Sequence, residues 1–289
     1  MTFATLPIQT FLPFVLLWAA VILSFIADRR FSLGALALAV VCGVATGVLQ
    51  FTAVASIICL GLSIWLATNP SFPKVIRYLC YCAFLALAVA LIIHLVPGFN
   101  NLLVFERVRF SPDSIPFTMY LNFDKIVVGV FICILYLKSQ RHILDRRSLL
   151  LSARCAGVLI SILMGLAFLL HYVRFDFKFP EMGWIWILNN LFFVCFAEEA
   201  FFRGFVQGGL TELLPKTKMG AVLSIAIAAL LFGLAHFPGG VIYVVLSTVA
   251  GLFYGYAFWK TDRIQSSILV HFSVNLVHFL FFSYPALSR

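Results

Sequence analysis

Residues 241–259 read VIYVVLSTVAGLFYGYAFW, a run of nineteen residues without a charge, and Lys260 follows it directly. At about 1.5 Å per residue, a helix of this length extends roughly 28 Å, which is close to the hydrocarbon thickness of a bilayer. The run therefore predicts one membrane-spanning helix.

Nine further stretches have a similar apolar character, and most approach the roughly 20 residues that a spanning helix needs. They cover residues 7–27, 31–49, 52–67, 75–96, 125–137, 149–171, 184 onward, 219–237 and 264–282. The stretch 125–137 is the shortest of them, short enough to be re-entrant. The chain is thus predicted to be an all-α, polytopic transmembrane helix bundle with about 8–10 spanning helices.

The composition of the whole chain favours a membrane protein. Of 289 residues, 63% are hydrophobic and 11% are charged, too few polar residues to cover a soluble domain of this size. The net charge of +9 does not indicate nucleic-acid binding, because the basic residues lie in short loops between apolar stretches, as orientation signals do. The seven cysteines lie inside apolar stretches without a zinc-binding spacing, so we interpret them as packing groups.

No internal repeat or long linker divides the chain, so we predict one continuous membrane domain. Residues 1–148 would supply N-terminal transmembrane helices, whose role the sequence does not indicate. Residues 149–289 would supply the remaining transmembrane helices. The stretch 97–124 is the longest one that contains many polar residues, and we interpret it as a plain connector rather than an interfacial cap.

One apolar stretch concentrates charge, and it reads CFAEEAFFRG at residues 195–204. Charged side chains are costly within a bilayer, so this interruption marks a candidate functional site. Glu199 and Arg203 are four residues apart on one helical face, which predicts an ion pair. Glu198 points about 100° away around the helix, which leaves its carboxylate available as a general base.

Two later stretches supply further polar side chains. His236 closes an apolar run, whereas His271 and Asn275 lie one helical turn apart within the last run. Depth in the membrane can be estimated along straight helices from the loops on one side. By this estimate, Glu198 and these three side chains lie within about 10 Å of the same depth. They are therefore predicted to converge.

Three short motifs thus follow one another in the second half of the chain: Glu198-Glu199-x-x-x-Arg203, Phe232-x-x-x-His236 and His271-x-x-x-Asn275. They resemble the three ordered motifs of the CPBP family, which comprises the type II CAAX prenyl endopeptidases and the bacterial bacteriocin-processing and immunity proteins. The stretch 251–271 also resembles the family's link between its second and third motifs. The resemblance extends from about residue 149 to the end, which implies that residues 149–289 supply the catalytic transmembrane helices.

The resemblance implies an intramembrane glutamic protease that requires no metal or other cofactor. Carried over to this chain, Glu198 and His236 would activate a water molecule for attack on a peptide carbonyl. His271 and Asn275 would stabilise the developing oxyanion, a role that preorganised donors fill in many hydrolases.

The same resemblance implies supporting roles for three further residues. Glu199 and Arg203 would hold the site together, and Phe232 would pack one turn below His236. The expected partners are a peptide or membrane-protein substrate and the lipid bilayer, not nucleic acid. The expected location is the bacterial cytoplasmic (inner) membrane, which the chain would cross several times.

Two other functions fit the same residues. In a zinc-dependent membrane protease, Glu198, His236 and His271 would bind the ion, since one carboxylate and two imidazoles suit zinc. In a non-catalytic membrane immunity or scaffold protein, the polar residues would serve helix packing. Metal content separates the first alternative from the glutamic protease, and retained function in Glu198→Ala would indicate the second.

Overall fold

The helices begin and end close to the limits of the apolar runs. A computed structural model describes residues 8–137 and 144–288. The fold is 73% helical with 7% strand, which confirms the predicted all-α helical bundle.

The first part of the chain contains five helices and two short strands. They are α1 (Ile8–Ile26), α2 (Arg29–Ala45), α3 (Phe51–Thr68), α4 (Lys74–Ile92), β1 (Leu102–Val108), β2 (Phe117–Leu121) and α5 (Phe123–Phe131), which continues as the π-helical segment Ile132–Tyr136.

The second part contains five longer helices. They are α6 (Arg146–Leu169), α7 (Gly183–Leu213), α8 (Lys218–Ala235), α9 (Val241–Thr261) and α10 (Ile264–Phe281), with a 3₁₀ turn at Phe237–Gly239 between α8 and α9.

Eight helices in the described ranges are long and apolar enough to cross a bilayer, namely α1, α3, α4 and α6 to α10. Helix α2 has 17 residues and falls just short of that length. The predicted short stretch 125–137 forms α5 and its π-helical extension, whose residues are mostly buried in the protein. The chain is therefore a multi-pass membrane protein.

The interpretation of residues 97–124 as a plain connector is wrong, because this stretch contains the two paired strands. Strand β1 reads LLVFERV and β2 reads FTMYL. Aromatic and β-branched residues of this kind favour a pleated, half-buried strand. Both strands are too short to produce a recognisable alternation beside the much longer apolar helices.

The described residues fall into two compact units. The first contains residues 8–104 and 119–137, and the second contains residues 105–118 and 144–288. The sequence did not indicate that 105–118 would group with the later helices. All the candidate site residues lie in the second unit.

In the first unit, a polar cluster fixes the start of α5. His94 Nδ1 lies 2.6 Å from Asp124 Oδ2, and Asn101 donates its amide N–H to Asp124 Oδ1. The backbone N–H of Phe123 in turn donates to Asn101 Oδ1. The buried Asp124 carboxylate therefore has partners for both of its oxygens, as a buried charge requires.

In the second unit, α7 packs against α8, α9 and α10. Two segments of α7 are π-helical, Asn190–Cys195 and Ala200–Gln207, and the α-helical turn Phe196–Glu199 lies between them. Such departures from α-helical hydrogen bonding are rare and occur often at functional sites. The acidic pair lies in the turn between them.

Helices α8 and α9 approach each other closely at two glycines. A Cβ atom on Gly233 would lie 1.9 Å from Thr248 Oγ1 and 2.8 Å from the Val244 carbonyl oxygen. A Cβ on Gly251 would lie 3.0 Å from the Ala229 Cα. Small residues allow helix backbones to approach in this way, which positions the end of α8.

We expect Gly233→Ala to destabilise the protein by about 1–3 kcal/mol, since an added methyl group must displace the α9 backbone. Thermal unfolding of the purified protein in detergent measures this loss. Gly157→Ala is the matched control, because among the described residues no atom beyond its chain neighbours and its own helix backbone lies within 4 Å of the added Cβ. An equal unfolding temperature for the two variants would contradict the close packing of α8 on α9.

Candidate active site

The acidic pair on α7 separates as the helical geometry predicts. Glu199 Oε2 accepts a hydrogen bond from Arg203 Nε at 3.0 Å, and both side chains are completely buried. This confirms the predicted ion pair. Glu198 retains 26% side-chain exposure, and its Oε2 has no hydrogen-bond partner among the described residues.

The Arg203 guanidinium is enclosed by aromatic rings. Its Cζ lies 4.9 Å from the centroid of Phe232, 5.6 Å from Tyr254 and 6.0 Å from Phe202. The negative faces of aromatic rings attract a cation at such distances. Among the described residues, no group hydrogen-bonds its Nη atoms, so Glu199 and these rings stabilise the buried charge.

His271 on α10 connects the two acids. Its Nδ1 lies 2.9 Å from Glu199 Oε1, and its Nε2 lies 4.0 Å from Glu198 Oε2. Because an ionised carboxylate can only accept, Nδ1 is the donor in the bond to Glu199. Glu199 thus orients the His271 imidazole, and Nε2 of this ring points toward Glu198.

The Tyr254 ring on α9 stacks on the His271 imidazole, with 4.5 Å between centroids and 16° between planes. This contact restricts rotation of the imidazole. Tyr254 was not among the site residues predicted from the sequence. The only sign of its importance was its place within the stretch 251–271, which resembles the CPBP family.

His236 is the C-cap residue of α8 and faces the same group of rings. Its Nδ1 lies 2.8 Å from the Phe232 carbonyl oxygen, which can only accept a hydrogen bond. Nδ1 therefore carries the proton, and Nε2 of the neutral ring is an acceptor. The centroid of the Phe232 ring lies 4.6 Å from that of His236 and 5.7 Å from that of His271, so Phe232 contacts both imidazoles.

Asn275 lies one turn beyond His271 and contacts a different set of side chains. Its Nδ2 donates to Asn190 Oδ1 at 3.2 Å and lies 3.7 Å from Cys195 Sγ. Cys195 also donates to Asn190 Oδ1 at 3.3 Å and interacts with His271. Cys195 is thus a hydrogen-bonding member of the site in addition to the buried packing group that was predicted. An asparagine within an apolar run was the overlooked signal for Asn190.

An aromatic cluster lies beside these residues where α10 ends. Trp186 stacks on Phe279 at 4.0 Å and donates its indole N–H to the Tyr284 hydroxyl. The His278 ring lies 5.1 Å from the Tyr284 ring. Burial raises the pKa of Tyr284 above its usual range, so this hydroxyl remains protonated and serves the packing of the cluster.

Within residues 8–137 and 144–288, no three or more histidine, cysteine, aspartate or glutamate side chains are grouped so that they could hold a metal ion. In particular, Glu198, His236 and His271 do not form such a group.

Residues 180–277 match the family model of the type II CAAX prenyl endopeptidase Rce1-like proteins. This segment is similar to Rce1-like domains. Its limits include all three motifs, from Glu198 to Asn275. No curated protein and no solved structure matches the chain.

The match to the Rce1-like family model confirms the resemblance to the CPBP family. The match supports a relation to the CAAX-protease-like membrane endopeptidases. The match begins shortly before α7 and ends within α10, so α7 to α9 lie entirely inside it.

Proposed function

We propose that this protein is an intramembrane glutamic endopeptidase in which Glu198 and His236 activate a water molecule for peptide hydrolysis. The observation that carries the proposal is Glu198 Oε2, which has no hydrogen-bond partner among the described residues. It belongs to a partly exposed carboxylate within the segment that matches the Rce1-like family model. A buried acceptor without a partner is unusual in proteins and is suited to bind a reactant. The proposal requires no metal or other cofactor.

Glu198 and His236 would share the removal of the water proton. The Glu198 carboxylate accepts the proton as the water oxygen attacks the scissile carbonyl. The unprotonated Nε2 of His236 binds the same water, because its Nδ1 proton is already donated to Phe232. Proton transfer by positioned groups of this kind contributes about 10²–10⁴-fold to a rate.

His271 and Asn275 would stabilise the tetrahedral oxyanion. Glu199 holds the His271 imidazole from its Nδ1 side, so in its doubly protonated form the ring presents Nε2–H to the oxyanion. Asn190 and Cys195 hold the Asn275 amide nearby. Donors that are oriented before reaction stabilise developing charge without reorganisation.

Three residues would support this arrangement without touching the substrate. The buried Glu199–Arg203 pair fixes the position of His271 through Glu199. The Phe232 carbonyl oxygen accepts a hydrogen bond from His236 Nδ1, and the Phe232 ring contacts the Arg203 guanidinium. Phe232 thus links the histidine of α8 to the ion pair on α7.

For the biological setting, we propose that the substrates are C-terminal or leader peptides of membrane-associated proteins. We further propose that the protein resides in a bacterial cytoplasmic membrane. The two kinds of peptide differ in a way that can be tested, because only the first carries a prenyl group beside the cleaved bond.

We expect His236→Ala to lower kcat/KM for peptide hydrolysis by about 10²–10⁴-fold, since the acceptor Nε2 is lost. The assay uses the purified full chain in detergent, with prenylated C-terminal peptides and leader peptides, and detects products by mass spectrometry. His171→Asn is the matched control. Residue 171 is exposed with a φ of 52°, which asparagine tolerates.

The same assay separates the alternatives. The glutamic mechanism predicts unchanged activity after treatment with a chelator, whereas stoichiometric bound zinc and loss of activity on chelation would identify a zinc protease. Full activity of His236→Ala would remove this residue from the mechanism. A wild-type protein that binds these peptides and leaves them uncleaved would indicate the non-catalytic alternative.

A further inference from the structure

A groove lies between α6 and α9 of the second unit, away from the acidic pair. Its cavity volume is about 400 Å³, and it is lined by Arg154, Cys155, Val158, Leu252, Phe253 and Tyr256. The two helices contact each other, which closes its floor. Val158 is 53% exposed and Leu252 is 41% exposed. In a chain that crosses the membrane, such exposed apolar side chains face lipid.

The groove has a defined direction along the membrane normal. Helix α6 begins at Arg146 and α9 ends at Thr261. These two ends are adjacent, because Asp145 interacts electrostatically with Arg263 in the turn after α9. Depth in the groove can therefore be counted from this common end.

Polar and apolar lining residues lie at different depths. Arg154 is eight residues into α6 and Tyr256 is five residues from the end of α9, so both lie within about 12 Å of the common end. Val158 lies about 6 Å deeper on α6, and Leu252 about 6 Å deeper on α9. The groove thus has a cationic end and an apolar interior.

Arg154 is the cation at this end of the groove, and its side chain is exposed. Among the described residues, no hydrogen bond or ion pair holds Arg154. Lys260 adds a second charge at the same end, with its Nζ 4.3 Å from the Trp259 ring centroid and 5.7 Å from that of Tyr256. An exposed guanidinium at the edge of an apolar groove, without a hydrogen bond or ion pair among the described residues, favours an anionic partner, and its planar fork fits a phosphate.

We propose that the α6–α9 groove binds an anionic glycerophospholipid, with the phosphate at Arg154 and an acyl chain along Val158 and Leu252. The combination of an apolar channel and a cation at its end matches an amphiphile with a negative head group. Basic pockets between membrane helices bind anionic lipids in this way. The groove shares no residue with the candidate active site, so this proposal does not depend on the proposed function.

Native mass spectrometry of the full chain in detergent tests the proposal with phosphatidylglycerol and phosphatidylcholine at equal concentrations. The expected result is preferential retention of phosphatidylglycerol. Arg154→Gln is expected to weaken phosphatidylglycerol binding by about tenfold, the effect of removing one charge-assisted contact. Arg146→Gln is the matched control, since it removes the same charge from the same helix outside the groove.

A second variant tests the apolar part of the groove independently. Leu252→Trp retains Arg154 and fills the cavity, so it is expected to reduce binding of both lipids. Equal retention of the two lipids by the wild-type protein, or equal losses in Arg154→Gln and Arg146→Gln, would overturn the proposal.

Competition by inorganic phosphate alone would indicate a site for free anions, and a dimer that Leu252→Trp dissociates would indicate a second copy of the chain in the groove. Either result would also overturn it.

Discussion

Glu198→Gln is expected to lower kcat/KM for peptide hydrolysis by about 10²–10⁴-fold, the contribution of a positioned proton acceptor. Glutamine has nearly the same size and shape as glutamate, and it cannot take a proton from water at neutral pH. Because Glu198 Oε2 has no hydrogen-bond partner among the described residues, the exchange breaks no hydrogen bond of that oxygen. The unfolding temperature should therefore remain close to that of the wild type.

The control for this experiment lies on the same helix. Glu212→Gln makes the identical chemical change at an exposed position near the end of α7, where we expect unchanged activity. Hydrolysis of a peptide panel by the two variants and the wild type, together with thermal unfolding in detergent, completes the comparison. If Glu198→Gln retained more than about one tenth of the wild-type activity, the carboxylate would not be the proton acceptor.

Most of the fold follows from the length of the apolar runs. The run 241–259 became α9, Val241–Thr261, and the run 149–171 became α6, Arg146–Leu169. A bilayer requires internally satisfied backbone hydrogen bonds over a fixed thickness, so an apolar run of this length has few alternatives to a helix. The strands β1 and β2 were missed because their short sequences carry no comparable constraint.

The local part of the site could also be predicted. Glu199 and Arg203 are four residues apart, and helical geometry alone pairs them. The π-helical segments on both sides of the acidic pair could not be predicted, because a shift from i+4 to i+5 hydrogen bonding has no distinct composition. The convergence of α7, α8 and α10 was inferred from depth, which fixes only one of three coordinates.

Contacts between segments that are far apart in the sequence could not be predicted from it. His271 bonds to Glu199 across 72 positions in the chain, whereas the motif pattern alone suggested a role only at the oxyanion. Asn190 and Tyr254 belong to no motif, although both contact motif residues. Such partners depend on how the helices rotate about their axes, and an apolar run with polar residues on several faces does not determine that rotation.

The buried ion pair on α7 leads to the prediction with the largest effect on stability. Arg203→Met is expected to destabilise the protein by about 3–5 kcal/mol, because the completely buried Glu199 carboxylate loses its counter-charge. Methionine fills much of the space between Phe232 and Tyr254, so the loss reports the charge more than the packing. Chemical unfolding in detergent, with the yield of monodisperse protein as a second measure, quantifies the effect.

A double variant separates the uncompensated charge from the lost volume. Arg203→Met combined with Glu199→Gln removes both charges and leaves an amide that can still bond to His271, so part of the lost stability should return. This recovery is the coupling between the two positions in a double-mutant cycle. Arg203→Lys should be intermediate, since lysine keeps the charge and loses the planar group that contacts the rings of Phe232 and Tyr254. If the double variant were no more stable than Arg203→Met, residue 203 would act through packing alone, and the ion pair would not be what orients His271 toward Glu198.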